Sequence, residues 1–257
     1  MLKERINNYI QSYDANIALA YKDLNSSETI LINENKIFPS ASTIKLLILG
    51  ELFNRVEKKE ISLSDKVDIY RFDKVGGDGI LKELESEISL TLKDVATLMI
   101  ILSDNYATNI LIDTLGFDNI NNLAKELNLS NTKLNRKMMD SEAVKKGLEN
   151  ETCALDLLKI LDMIYSKTYI IEEMSNLAND ILLRQQVNGL NTLLPEDTKI
   201  AHKTGDLDKL EHDVGIIYLD DINYILCILT NKLDTNYQGK KIISEISKIV
   251  YDYNIRK

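Results

Sequence analysis

Ser42-Thr43-Ile44-Lys45 sets a hydroxyl and an amine three residues apart, a spacing that puts both on one face of a helix. A serine hydroxyl is a weak nucleophile until a base takes its proton. An ammonium cannot do that, but a lysine whose pKa is lowered by burial can, because desolvation disfavours its charged form. The following residues supply the burial. Ile44, Leu46, Leu47, Ile48, Leu49, Leu52, Phe53 and Val56 make the segment apolar on most sides, as in a buried helix. Ser42 falls in the first turn, where free N–H groups and the helix dipole favour developing negative charge. The plainer reading of Ser42 is an N-cap. S-x-x-K alone is a weak signal, since about one is expected by chance at this composition. A second, Ser130-Asn131-Thr132-Lys133, occurs in a polar, loop-like setting.

Two more clusters could act with the first. Ser103-Asp104-Asn105 lies between two predicted helices. Its Ser or Asp could simply cap the second helix. Alternatively, its hydroxyl relays a proton and its carboxamide binds a substrate amide. Lys203-Thr204-Gly205 comes at the end of a strand that begins near Asp197. Glycine there allows close approach of a substrate backbone, and Lys203 would attract a carboxylate. The alternative is a strand-end turn with a solvated lysine. The ordered set of three has chance odds on the order of one in a hundred or lower.

The elements that must position these residues follow from periodicity. Residues 2–12 read as an amphipathic helix, and 15–23 and 27–33 as strands joined through Asn25-Ser26. Helices are predicted over 43–57, 92–102, 105–115, 119–127, 154–166 and 172–186. Strands return at 198–203, 212–219 and 223–231, before a last helix over 238–253. Strands at both ends with helices between them imply an α+β fold: one antiparallel sheet from both termini, flanked by helices, with an all-helical insertion. The expected division is 1–45 plus 190–257 for the sheet part and 46–189 for the helical part, with the active-site cleft between them.

Bulk properties narrow the function classes. The 257 residues carry 31 Lys+Arg and 40 Asp+Glu, a formal charge of −9. That acidic balance argues against nucleic-acid binding. No apolar run approaches the length of a membrane span. The first sixteen residues, MLKERINNYIQSYDAN, hold no apolar leader segment. The expectation is a cytoplasmic protein as the chain stands, or a secreted one if it has been trimmed. Cys153 and Cys227 read as free, core-packed thiols. Two histidines, His202 and His212, supply a Ser-His-Asp triad poorly. Without H-E-x-x-H or C-x-x-C, they also argue against a catalytic metal. No cofactor is implied.

S-x-x-K, S-D-N and K-T-G, in this order, resemble the three motifs of class A β-lactamases and related penicillin-binding proteins. The spacings, 103 − 42 = 61 and 203 − 103 = 100, are similar to that family's, as is the helical middle. Gly76-Gly77-Asp78-Gly79-Ile80-Leu81 resembles the Gly-rich stretch before the family's helical core. The resemblance runs from about residue 12 to the end. It implies a β-lactamase/transpeptidase-like fold and a serine hydrolase acting on a small β-lactam or related acyl amide or ester. Ser42 would be acylated, Lys45 would activate it directly or through water, and Ser103 would pass a proton to the leaving nitrogen. Asn105 would bind the side-chain amide, and Lys203 and Thr204 the substrate carboxylate. The N–H groups of Ser42 and Asp206 would form the oxyanion hole.

The chain departs from this family at two places. Class A enzymes deacylate with a glutamate two residues after an arginine, in an E-x-x-x-N pattern. If Arg136 matches that arginine, Met138 takes the glutamate's place, and a thioether cannot deprotonate water. Asp140 or Glu142 could serve instead if the loop runs differently. The second departure is Asp206, where the family has a small residue. Its carboxylate would repel a substrate carboxylate unless Lys203 neutralises it. The competing functions are a peptidase or esterase with the same acylation machinery, and a penicillin-binding sensor or trap that deacylates poorly.

Overall fold

The apolar runs at the two ends of the chain pair with each other. In the computed structural model, which describes residues 1–70, 74–85 and 87–257, strands β1 (Asn16–Asp23), β2 (Thr29–Ile32), β7 (Lys199–Leu207), β8 (Leu210–Tyr218) and β9 (Asn223–Asn231) form one antiparallel sheet in the order β2-β1-β9-β8-β7. The N- and C-terminal halves meet at β1 and β9, in register from Asn16↔Asn231 to Asp23↔Tyr224. Both faces of the sheet are covered, so its central strands read as nearly continuous apolar runs. On one face Ile17, Leu19, Tyr21, Leu226 and Ile228 pack with residues of α1 (Leu2–Ile10) and α9 (Asn236–Asn254). On the other, Ala18, Ala20, Val214, Ile216, Ile225 and Cys227 join the helical core. Cys153 and Cys227 are free and buried. The architecture is the expected α+β one, helices against an antiparallel sheet built from both ends of the chain.

At the centre of the helical layer runs α2 (Lys45–Glu57). Leu46, Leu47, Ile48, Leu49, Leu52 and Phe53 are each no more than 1% exposed, so neighbours cover the helix on all sides. Those neighbours are α3 (Leu92–Ile101), α4 (Asn105–Leu115), α5 (Phe117–Glu126) and α7 (Ala154–Ser166), with α8 (Glu172–Leu182) behind α3 and α7. Burying a leucine or isoleucine side chain contributes about 1.5–3 kcal/mol. The helix that begins at Lys45, directly after the turn carrying Ser42, is therefore firmly held. No helix among the described residues is long and apolar enough to cross a membrane.

Two sequence expectations are corrected here. The strand carrying Lys203 does not stop at Gly205. It continues to Leu207 and turns through Asp208 and Lys209 into β8, with Lys209 in the left-handed region at φ 55°. Of the two readings of Gly205, the strand-end turn does not hold, and the residue serves a close approach to the Ser42 backbone described below. The second correction concerns short elements without detectable periodicity. The pairs β3 (Phe38–Pro39) with β6 (Glu151–Thr152), and β4 (Lys66–Ile69) with β5 (Ile88–Thr91), form two small antiparallel sheets, and α6 (Ser141–Lys145) adds one short helix. The second S-x-x-K lies in a connection after α5, where Lys133 bridges to the Glu151 backbone.

Candidate active site

Ser42 stands in a tight 3-10 turn, Ala41–Ile44, that runs straight into α2. Its side chain caps nothing, contrary to the plainer reading. The turn is anchored on three sides. Ser40 N–H donates to the Asn150 carbonyl at 2.7 Å, Thr43 Oγ1 donates to the Ser40 carbonyl at 2.7 Å, and the His212 ring reaches the Pro39 carbonyl through Nε2 at 2.9 Å. Ala41 is held at φ 46°, a left-handed conformation that costs a non-glycine residue about 1 kcal/mol or more. Such strain persists only where the surroundings impose it, and here it aims the next residue, Ser42, into a cleft.

Lys45 is fully buried. Its Nζ lies 2.9 Å from Ser42 Oγ, 3.0 Å from Ser103 Oγ, 2.7 Å from the Ser103 carbonyl and 3.0 Å from Asn105 Oδ1. Burial, reinforced by the nearby Lys203 charge, pushes its ammonium far below the ordinary lysine range, against the opposing pull of Asp78, Asp104 and Asp206. The two carbonyl oxygens can only accept. A neutral amine satisfies them with its two N–H bonds and keeps its lone pair for the hydroxyls.

Ser103 lies at φ 54°, again left-handed, and bridges the two lysines. Lys203 Nζ reaches Ser103 Oγ at 3.0 Å and the Thr204 carbonyl at 2.8 Å. Lys203 is fully buried rather than solvated. Burial lowers its pKa to about 8, with Asp213 foremost among the charges holding it up. Asp213 in turn forms a buried pair with His202 Nδ1 at 2.9 Å and accepts from Leu190 N–H at 2.7 Å. The chain thus has a His–Asp pair, but it links β7 to β8 and, among the described residues, makes no contact with Ser42.

Within Ser103-Asp104-Asn105 the cap reading and the functional one divide between residues. Asp104 is the N-cap of α4, accepting from Ala107 N–H at 2.9 Å. Its second oxygen accepts from Ile80 and Leu81 N–H at 2.7 and 2.9 Å, which ties the Gly-rich stretch to the site. At Gly79, φ is 113° and a Cβ would come within 2.3 Å of the Asp104 carboxyl carbon, so only glycine fits. Gly205 plays a similar part on β7. A Cβ there would sit 3.0 Å from Ser42 N, so its absence lets the edge strand pass against the serine backbone. Thr204 is 8% exposed and Asp206 is exposed at the cleft.

The opposite wall is the segment 134–150. Arg136 lies in it with Nε and Nη2 at 2.9 and 2.6 Å from Glu149 Oε1. Asn150 Oδ1 accepts from Asn135 and Arg136 N–H, and its amide donates to the Arg136 carbonyl. Met138 is clamped by Asn109, which accepts from Met138 N–H at 2.8 Å and donates to its carbonyl at 3.1 Å. Asp140 lines the cleft, yet its carboxylate caps α6 through Ala143 N–H at 2.9 Å. Glu142 pairs with Lys145 at 2.7 Å on the surface. Asn109, Asn150 and His212 were not singled out as site residues from the sequence. Each acts by bonding distant backbone, which leaves no local pattern.

These walls enclose a cleft of about 750 Å³, lined by Ser42, Asn105, Met138 and Asp206 among others. A serine hydroxyl and a buried amine thus meet at the margin between an antiparallel sheet and a helical layer, the arrangement that the resemblance to β-lactamases and penicillin-binding proteins leads one to expect. The comparisons agree. A family model described as "Beta-lactamase enzyme family" matches residues 1–254. Beta-lactamase VEB-1 of Pseudomonas aeruginosa is 26% identical, covering 98% of this chain and 90% of its own. A crystal structure of a β-lactamase from Sphaerobacter thermophilus superposes with a TM-score of 0.91 at 25% identity, covering 97% and 95% of the two chains. A mutant of PBP-A, solved as an acyl-enzyme complex with penicillin G, does so with 0.91 at 26% identity over 100% and 97%. The chain belongs to the beta-lactamase enzyme family.

Proposed function

We propose that the protein is a class A-like serine hydrolase that opens the β-lactam amide through an acyl-enzyme on Ser42. The observation that carries this reading is the contact of a fully buried amine, Lys45 Nζ, with Ser42 Oγ at 2.9 Å. In the reaction, Lys45 takes the Ser42 proton as Oγ attacks the carbonyl carbon. The N–H groups of Ser42 and Asp206 stabilise the oxyanion. The C–N bond then breaks, and the nitrogen takes its proton from Ser103, which recovers one from Lys45 through the 3.0 Å contact. Lys203, still largely protonated below a pKa of about 8, holds the substrate carboxylate together with Thr204. Asn105 orients the acyl-side amide. The PBP-A relative, trapped with penicillin G as an acyl-enzyme, supports the same first half-reaction.

A second reading is favoured by Met138. Its buried, backbone-clamped position holds a thioether where a deacylation base would stand. On that reading the acyl-enzyme persists and the protein works as a penicillin-binding sensor or trap. Asp140 and Glu142 remain the alternative bases, although both carboxylates have other partners. Nitrocefin tests the primary reading. The wild type should hydrolyse it measurably faster than Ser42→Ala, whereas equal rates would remove Ser42 from the chemistry. One rapid burst equal to the enzyme concentration, followed by a slow phase, would mark the trap.

A further inference from the structure

The cleft is charged unevenly. Asp78, Asp206 and Asp208 line it. Among the described residues, their carboxylates accept no hydrogen bond and form no ion pair. The cations in the same walls are already partnered, Arg136 with Glu149 and Lys145 with Glu142. Lys240 stands near enough to Asp206 to lower its carboxyl, but only as a distant charge. Deeper in, Lys45 is driven toward neutrality by burial. That leaves Lys203 as the cation for a substrate carboxylate.

Two of these acids sit where an acyl group must pass. Asp78 is tied to the amide-binding residue, since Asn105 N–H donates to the Asp78 carbonyl at 3.0 Å and Asn105 Nδ2 to the Gly76 carbonyl at 3.3 Å. Asp206 follows Gly205, which passes against Ser42 N. They therefore stand on opposite walls, one behind Asn105 and one beside the nucleophile. Partial desolvation raises the Asp206 carboxyl, and Asp78 is the foremost charge adding to that rise, so Asp78 lies near enough to act on Asp206 across the opening. Ser42, 8% exposed, opens into this same cleft. Met139, Val144 and Leu207 expose apolar surface along the same walls and suit a hydrocarbon body between the charged ends.

We propose that Asp78 and Asp206 select acyl donors carrying a protonated amine on the acyl side chain and reject those carrying a second carboxylate there. An amine between two facing carboxylates relieves their repulsion, whereas an anion adds to it. This rests on the reading of the cleft as a β-lactam acylation site.

Three penicillins with one phenylacetyl frame test it: ampicillin with an α-amine, penicillin G with none, and carbenicillin with an α-carboxylate. The readout is the second-order rate of Ser42 adduct formation by intact-protein mass, at low ionic strength and a pH where the amine is protonated. The expected order is ampicillin, penicillin G, carbenicillin, with the extremes about tenfold or more apart, and the gap narrowing in high salt because exposed charges are screened. Asp78→Asn, and Asp78→Asn with Asp206→Asn, should compress the ampicillin-to-carbenicillin ratio toward one. A ratio within one variant does not depend on how much of it folds. Equal rates for all three in the wild type, or a ratio unchanged in the double variant, would overturn the selection while leaving acylation intact. No adduct and no consumption of any of the three would overturn the acylation reading and the selection with it; where adduct does not accumulate because it is hydrolysed, the rates of lactam consumption at limiting substrate give the same ratio.

Discussion

Around Ser42 the polar side chains face one another across the cleft, whereas along residues 134–150 they turn back onto their own backbone. Lys45 touches three residues at 3.0 Å or less, and Ser103 passes the network on to Lys203. The opposing wall is equally rich in hydrogen bonds, but Asn109, Asn150, Arg136 and Asp140 all use theirs to fix the chain path. One wall concentrates reactive groups and the other concentrates shape. On the proposed reading, the difference teaches that the two half-reactions would be built separately: forming the acyl-enzyme would draw on the first wall, and removing it would need a base on the second.

The largest expected effect breaks the first wall. Lys45→Ala should slow acylation of Ser42 by about 10²–10⁴-fold, the usual cost of losing a general base. Thermal unfolding tracks the fold separately, and unimpaired acylation would take Lys45 out of the mechanism. Next comes Met138→Glu, which adds the missing base to a backbone that Asn109 already holds. Adduct decay should accelerate by about 10²-fold, read from the loss of acyl mass with time. An unchanged lifetime would mean that the second wall is not where water is activated.

A smaller effect follows from Lys203. Its ammonium is present below about pH 8 and lost above it. Binding of a penicillin carboxylate should therefore hold at lower pH and weaken, by up to tenfold per unit, as pH rises through that value. The pH dependence of KM measures this, and a flat KM up to pH 10 would contradict it. Smallest is Arg136→Ala, which removes the Glu149 pair. It should destabilise the protein by about 1–3 kcal/mol, seen in the denaturant midpoint, and change acylation much less than Lys45→Ala does.

The same contrast explains what could be read from residues alone. The three motifs were legible because each holds its chemistry within three or four positions, and the buried helix behind Ser42 announced the environment of Lys45. The element boundaries near the site held closely, with α4 at Asn105–Leu115 and α7 at Ala154–Ser166 where periodicity placed them. Lys203 was harder. A lysine two residues before glycine reads equally as a solvated turn, and its burial against Ser103 comes from a segment 100 residues away. The spacing from Arg136 singled out Met138 only through the family resemblance, and the clamp that holds its backbone comes from Asn109, 29 residues away. Contacts of that kind depend on two distant segments folding against each other, so neither segment carries their signature.

The central claim is that Ser42 forms a covalent bond to the opened lactam. Intact-protein mass after mixing with penicillin G, followed by peptide mapping, tests it most directly. The account predicts one added penicillin mass, located on the peptide bearing Ser42 and absent from Ser42→Ala. An unmodified protein in a solution where penicillin is neither bound nor consumed, or an adduct on another residue, would contradict it.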